Sequence, residues 1–106
     1  MIKAHVARVI DGDTIEVTST FRVRMDFVDA PETKGSERPQ GLVTKQYVID
    51  RLTGKDIDLD VKCFDMYGRA LAVIYLDGEN INGELIKKGL VEIYSPALHN
   101  DGKLDI

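Results

Sequence analysis

Five charged residues in three short motifs, Asp13, Arg24, Asp29, Glu32 and Arg69, carry most of the chemistry this sequence could do. The first motif is Asp11-Gly12-Asp13-Thr14. The second is Arg24-Met25-Asp26-Phe27-Val28-Asp29-Ala30-Pro31-Glu32, and the third is Asp65-Met66-Tyr67-Gly68-Arg69. Carboxylates are hard oxygen donors, and calcium accepts irregular oxygen sets. If Asp13 and Asp29 reach one point they repel by about 4 kcal/mol at 4 Å with an effective dielectric of 20, and a bound cation removes that repulsion. A guanidinium forks onto two phosphate oxygens, so a pair of arginines would suit an anionic phosphoester.

The elements that must position these groups are legible from residue patterning. Residues 3–10 read as a strand, Asp11-Gly12 as a turn, and 14–18 as a second strand with Ile15 and Val17 on one face. Residues 21–27 read as a third strand, with Phe21, Val23, Met25 and Phe27 opposite Arg22, Arg24 and Asp26. Residues 31–41, with two prolines and two glycines, read as a long loop. Leu42, Val43, Tyr47, Val48, Arg51 and Leu52 fall at helical spacing, and Gly54 marks the stop. Residues 55–64 alternate, and 69–76 are apolar on both faces, as in a central strand. A short helix begins near Asn80 or Asn82 and stops at Gly89, before an extended piece over 90–94. This order predicts a mostly β domain with two helices: a five-stranded, oligonucleotide-binding-type Greek-key barrel spanning 1–94, then a short tail, 95–106.

Spacing imposes one geometric condition. Arg24 and Asp29 are an odd number of residues apart, so on a regular strand they face opposite sides. They share a site only if the third strand ends or bulges before Asp29, and Val28 breaks the alternation there.

The three motifs, in this order and on this topology, resemble the staphylococcal nuclease (thermonuclease) family. The resemblance runs from about Val9 to Leu90, with Asn82, Leu85 and Gly89-Leu90 matching its second helix. It implies a calcium-dependent endonuclease that hydrolyses phosphodiesters in DNA and RNA, prefers single strands and leaves 3′-phosphates. In that reading Asp13, Asp29 and the backbone carbonyl of Ala30 hold Ca2+. Arg24 and Arg69 clamp phosphate, Glu32 positions or deprotonates the attacking water, and Tyr67 borders the nucleotide. Lys34 and Lys45 are further candidates for phosphate contact. The alternative is a nucleic-acid- or protein-binding module of the same fold, as in Tudor-type nuclease proteins. Those repeats lack the charged set, which is intact here.

Two features depart from the family pattern. The net charge is −4, the wrong sign for gripping a polyanion through a broad basic surface, so binding must rest on local cations or a metal. Family members also continue into a third helix, whereas Tyr94-Ser95-Pro96 is followed here by a turn-like run. A partner chain (a homo-oligomer), a folded-back tail or low stability is the expected consequence.

Other residues read more plainly. Asp77 reads as a turn former, Arg22 as solvated, and Asp26 as a surface charge or ion-pair partner. Asp11 reads as a turn former or a supporting carboxylate. The single cysteine, Cys63, continues the apolar row of Ile57, Leu59 and Val61, which predicts a buried, inert thiol and excludes an intrachain disulfide. Asp56, Asp58 and Asp60 read as a solvated face that discourages edge pairing. No run approaches the roughly 20 apolar residues that span a bilayer, so no membrane partner is expected. Met1 to His5 reads as the start of a strand rather than a signal peptide, leaving a cytoplasmic location and secretion after cleavage both open.

Overall fold

The computed structural model describes residues 1–18 and 21–94. The expected tail, 95–106, and with it the question of what covers the barrel there, lies outside the described residues. Alternating Val and Ile residues build β1 (Ile2–Asp11), β2 (Thr14–Val17) and β3 (Arg22–Met25). A two-residue strand, β4 (Val28–Asp29), and one 3-10 turn, Gly35–Glu37, lead to α1 (Arg38–Leu52). Then come β5 (Asp56–Phe64), β6 (Ala70–Leu76), β7 (Glu79–Asn80), α2 (Ile81–Lys87) and β8 (Glu92–Ile93).

The strands close on themselves. The hydrogen-bonded order is β3-β2-β1-β5-β6, and β3 pairs parallel with β6 through Val23↔Ala70, Arg24↔Leu71 and Met25↔Ala72. The result is the expected five-stranded barrel, with β7 added at β6 and a separate β4–β8 ribbon. The long β1 serves two partners: its first half pairs with β5 and its second with β2, with bulges after Val6 and Val9 bending it between them. Val6, Ile15, Val23, Met25, Leu59 and Ile74 are buried inside the barrel. Val48 and Leu52 of α1 and Ile81 and Leu85 of α2 join the same core. No helix of the described residues is long and apolar enough to cross a membrane.

Several local readings are corrected. The first helix begins at Arg38, not Leu42, so the loop expected over 31–41 is shorter. Pro39 reads as a loop former yet sits in the helix's first turn, where its missing N–H costs nothing. The buried face of α1 is Gly41, Thr44, Val48 and Leu52, while Val43 is exposed. Gly41 reads as a loop signal because glycine within a helix costs about 1 kcal/mol relative to alanine. It is kept inside the helix by close packing against residues 31 and 32.

The third strand ends at Met25, and Phe27 does not join its buried row. Phe27 adopts φ +69°, and the preceding Asp26 is buried, its Oδ1 accepting the Phe27 N–H at 3.0 Å. Asp26 is therefore part of a turn, not a surface charge. Cys63 is exposed because a register shift between Val61 and Cys63 breaks the alternation of β5. The three aspartates of β5 stand on a solvated face as expected, although β5 lies between β1 and β6 and is not an edge. Asp58 meets Lys3, Asp56 meets His5, and Asp60 meets Lys62.

The second helix follows its sequence signals closely. Asn80 caps it, its side chain accepting the Gly83 N–H at 2.9 Å. At the other end Gly89, at φ +69°, donates to Ile86, and Leu90 donates to Leu85. These paired bonds satisfy the last free carbonyls of the helix.

Candidate active site

The end of β3 is where the site is made. Asp26 and Phe27 break the strand, and the chain re-forms as β4 with a new phase. That break meets the condition set by the odd spacing of Arg24 and Asp29. The Arg24 guanidinium holds the turn, with Nη1 donating to the Met25 carbonyl at 2.8 Å and to the Val28 carbonyl at 2.9 Å. Its Nη2 then lies 3.5 Å from Asp13 Oδ2 and 3.7 Å from Asp29 Oδ1. One arginine thus sits between the two aspartates, which limits their mutual repulsion.

Asp13 is fixed on several sides. Its backbone carbonyl accepts the Met25 N–H at 2.8 Å. Its Oδ2 accepts the Ala30 N–H at 2.8 Å, and its Oδ1 accepts the Thr14 hydroxyl at 3.1 Å. The side chain is only 13% exposed, whereas Asp29 is 58% exposed. The pair thus combines a rigid inner carboxylate with an accessible outer one.

Arg69 is aimed by its own turn. Asp65 Oδ1 accepts the N–H groups of Tyr67 and Arg69, each at 2.9 Å, and its Oδ2 accepts Arg69 Nε at 2.6 Å. Burial alone would raise the Asp65 carboxyl. The hydrogen bonds from the Arg69 backbone, the Arg69 guanidinium and the Tyr67 backbone outweigh it and hold the carboxyl below its usual range. The sequence places Asp65 in the third motif and gives it no role of its own. Its signal was an aspartate opening a glycine-containing turn, four residues before the arginine it grips.

All five motif residues line one cavity of about 180 Å3, together with Asp11, Thr14, Ala30 and Pro31. Glu32 is exposed on its rim. Asp11 is a near neighbour, its Oδ1 3.4 Å from the Thr33 hydroxyl. Tyr67 lies outside that cavity. It lines an adjoining space with Arg24, Asp29, Arg69, Phe27 and Tyr94, and its ring centroid is 5.5 Å from the Arg69 guanidinium carbon. Lys34 and Lys45 line neither space.

Among the described residues no group of three or more His, Cys, Asp and Glu is gathered to hold a metal. The candidate metal-binding groups near Arg24 are the carboxylates of Asp13 and Asp29, all oxygen. That set fits a hard divalent cation that completes its shell with water, and it does not suit a soft metal.

A closed five-stranded barrel, with paired carboxylates and paired guanidiniums lining one cavity, has the architecture of an oligonucleotide-binding-type barrel. The chain belongs to the staphylococcal nuclease homologue family, whose model matches residues 22–105. It is 38% identical over 101 residues to a thermonuclease of Staphylococcus intermedius, covering 86% of this chain and 60% of that protein. It is 32% identical over 114 residues to an uncharacterized endonuclease of Escherichia coli, covering 96% of this chain and 72% of that protein. A second uncharacterized endonuclease, from Haemophilus influenzae, is 32% identical over 100 residues, with 91% of this chain and 54% of that protein covered. The chain thus spans little more than half the length of the Haemophilus relative.

Proposed function

We propose that this chain is a calcium-dependent endonuclease that hydrolyses phosphodiester bonds in DNA and RNA, prefers single strands and leaves 3′-phosphates. The observation that carries the reading is Arg24, fixed between Asp13 and Asp29 in a cavity that Arg69 and Glu32 also line. Similarity to an endonuclease and a thermonuclease supports the nuclease class.

In this reading Asp13, Asp29 and the Ala30 carbonyl hold the calcium ion, which supplies fixed positive charge and an ordered water beside the phosphate. Arg24 and Arg69 approach the phosphate oxygens from two elements, β3 and the turn before β6, and offset the charge that grows on them. Glu32 takes a proton from the attacking water. The new bond is from water oxygen to phosphorus, and the bond from phosphorus to the 5′-oxygen breaks. The 5′-oxygen takes a proton from solvent, and the phosphate stays on the 3′ side. Tyr67 offers a ring beside Arg69 for the neighbouring nucleoside. The site opens at a small cleft, which favours a flexible strand over a rigid duplex. With a net charge of −4, affinity rests on these local cations and falls steeply with salt.

The test is digestion of single-stranded DNA and RNA with calcium, with a chelator, and by the Arg24→Ala and Glu32→Ala variants. Cleavage that needs calcium and is lost in both variants supports the reading. Cleavage that survives chelation or either substitution overturns the mechanism, and binding without turnover favours a binding module.

A further inference from the structure

Glu32 stands on an irregular segment between β4 and α1, and its side chain is exposed, so something else must fix its position. The start of α1 makes three contacts with that segment. Glu37 does not use its side chain to cap the helix; its Oε1 accepts the Glu32 N–H at 3.1 Å. Arg38 Nη1 donates to the Thr33 carbonyl at 3.4 Å. Gly41 presents bare backbone to the same peptide. A Cβ there would lie 2.5 Å from the Glu32 carbonyl carbon, closer still to its oxygen, and 2.9 Å from the Pro31 carbonyl oxygen. These obstacles are backbone atoms, so they yield only if the segment moves. Glycine weakens a helix at this position, and close approach to Glu32 is the structural return.

We infer that Glu37 and Gly41 are positioning residues for Glu32: together they hold its backbone where its carboxylate reaches the cavity. The inference rests on the proposed role of Glu32 in hydrolysis. Glu37 is exposed, so its replacement does not threaten folding.

The experiment uses the full chain and compares Glu37→Ala, Glu37→Gln and Gly41→Ala, alone and combined with Glu32→Gln. Glu37→Ala and Gly41→Ala lower kcat by about 10- to 100-fold with KM little changed, the scale of an ångström-sized misplacement. Glu37→Gln, which keeps an acceptor oxygen, restores most of the rate. In the Glu32→Gln background neither change costs more, whereas a general loss of structure would add. The Glu32 and Thr33 amide resonances of nitrogen-labelled protein shift in both variants, a readout independent of turnover. If Glu32→Gln abolishes activity but Glu37→Ala and Gly41→Ala leave kcat intact, the inference is overturned and the functional reading stands. If Glu32→Gln stays active, the reading of Glu32 fails. The amide shifts then decide the positioning claim: unmoved resonances overturn it, and moved ones support it.

Discussion

Arg24 donates to the carbonyl of Val28, four residues further along its own chain, and so holds the break that ends β3. The same guanidinium reaches both aspartates. It therefore has two duties, shaping the turn and carrying charge. Arginine meets both carbonyls with Nη1 and keeps a separate nitrogen, Nη2, for the aspartates, whereas a lysine has the charge but only one nitrogen. Arg24→Lys is expected to lower kcat/KM on single-stranded DNA by about 10²–10³-fold, the scale of removing one aligned electrostatic donor. Steady-state assays at saturating calcium measure it, and a loss under threefold contradicts the two-duty account.

Asn82 ties the second helix to the strand break beneath the site. Its Nδ2 donates to the carbonyls of Asp26 and Ala72 at 2.8 and 3.1 Å, and its Oδ1 accepts the Ile74 N–H at 3.1 Å. The residue is 3% exposed, so water does not replace these bonds. Asn82→Ala is expected to cost about 3 kcal/mol, because each buried group left unpaired costs about 1–3 kcal/mol. Urea unfolding reads this as a lower midpoint. A change under 1 kcal/mol would mean that water enters the gap.

What was legible in the sequence, and what was not, divides along physical lines. The barrel strands were visible because period-2 alternation follows from having one face buried. Asn80 and Gly89 marked the ends of α2 because caps are local chemistry. The start of α1 was missed because Pro39 and Gly41 are local breakers, and the packing that makes Gly41 useful lies on a segment nine residues away. Cys63 continues the apolar row in sequence but is exposed, because beyond the irregularity after Val61 the end of β5 is exposed on both faces, Lys62, Cys63 and Phe64 alike. For the site, odd spacing showed that a break was required, but not that Arg24 itself would bind it shut. Asp65 escaped as a functional residue because an aspartate in a turn looks the same whether or not it grips an arginine.

That grip is testable in its own right. Asp65 holds Arg69 through its backbone and its side chain at once. Asp65→Ala releases the guanidinium to other rotamers while leaving its charge in place. The expected outcome is a roughly 10-fold or larger loss of kcat with calcium affinity retained, since aspartates 13 and 29 are untouched. Calorimetric calcium binding beside kinetics checks the split, and a loss confined to calcium binding contradicts it.

The two helices are joined by a charged cluster that sets a pH dependence. Glu84 accepts from Arg51 at 3.0 and 3.1 Å and from the Tyr47 hydroxyl at 2.6 Å. The Arg51 hydrogen bonds hold the Glu84 carboxyl below its ordinary value of 4.5, against burial, with Tyr47 adding to the effect. A lowered carboxylate contributes stability above its unfolded pKa and loses it as pH falls through the folded one. The hydrogen bond to Glu84 also raises the Tyr47 phenol above 10.0. That contribution is complete below the unfolded value and fades as pH rises through the folded one. Melting temperature is therefore expected to fall below about pH 4.5 and again above about pH 10. Glu84→Gln should flatten the part of each limb due to this cluster, and unchanged limbs would assign the pH dependence elsewhere.

A ligand that binds only the folded chain stabilises it by about 2.7 kcal/mol at 100 times its Kd. Calcium should therefore raise the melting temperature of the wild type in a saturable way. The Asp13 side chain is only 13% exposed and is bonded to Ala30 and Thr14, whereas Asp29 is mostly exposed. Replacing the two by asparagine should then give different signatures. Asp29→Asn should abolish the calcium-induced shift with little change in stability without calcium, because an exposed carboxylate near Arg24 contributes little by itself. Asp13→Asn should abolish the shift and also destabilise the protein without calcium, because it weakens the charge-assisted bond from Ala30 and leaves Arg24 facing a neutral amide. Thermal melts with and without calcium separate these effects. A full calcium shift in either variant would remove that aspartate from the ligand set.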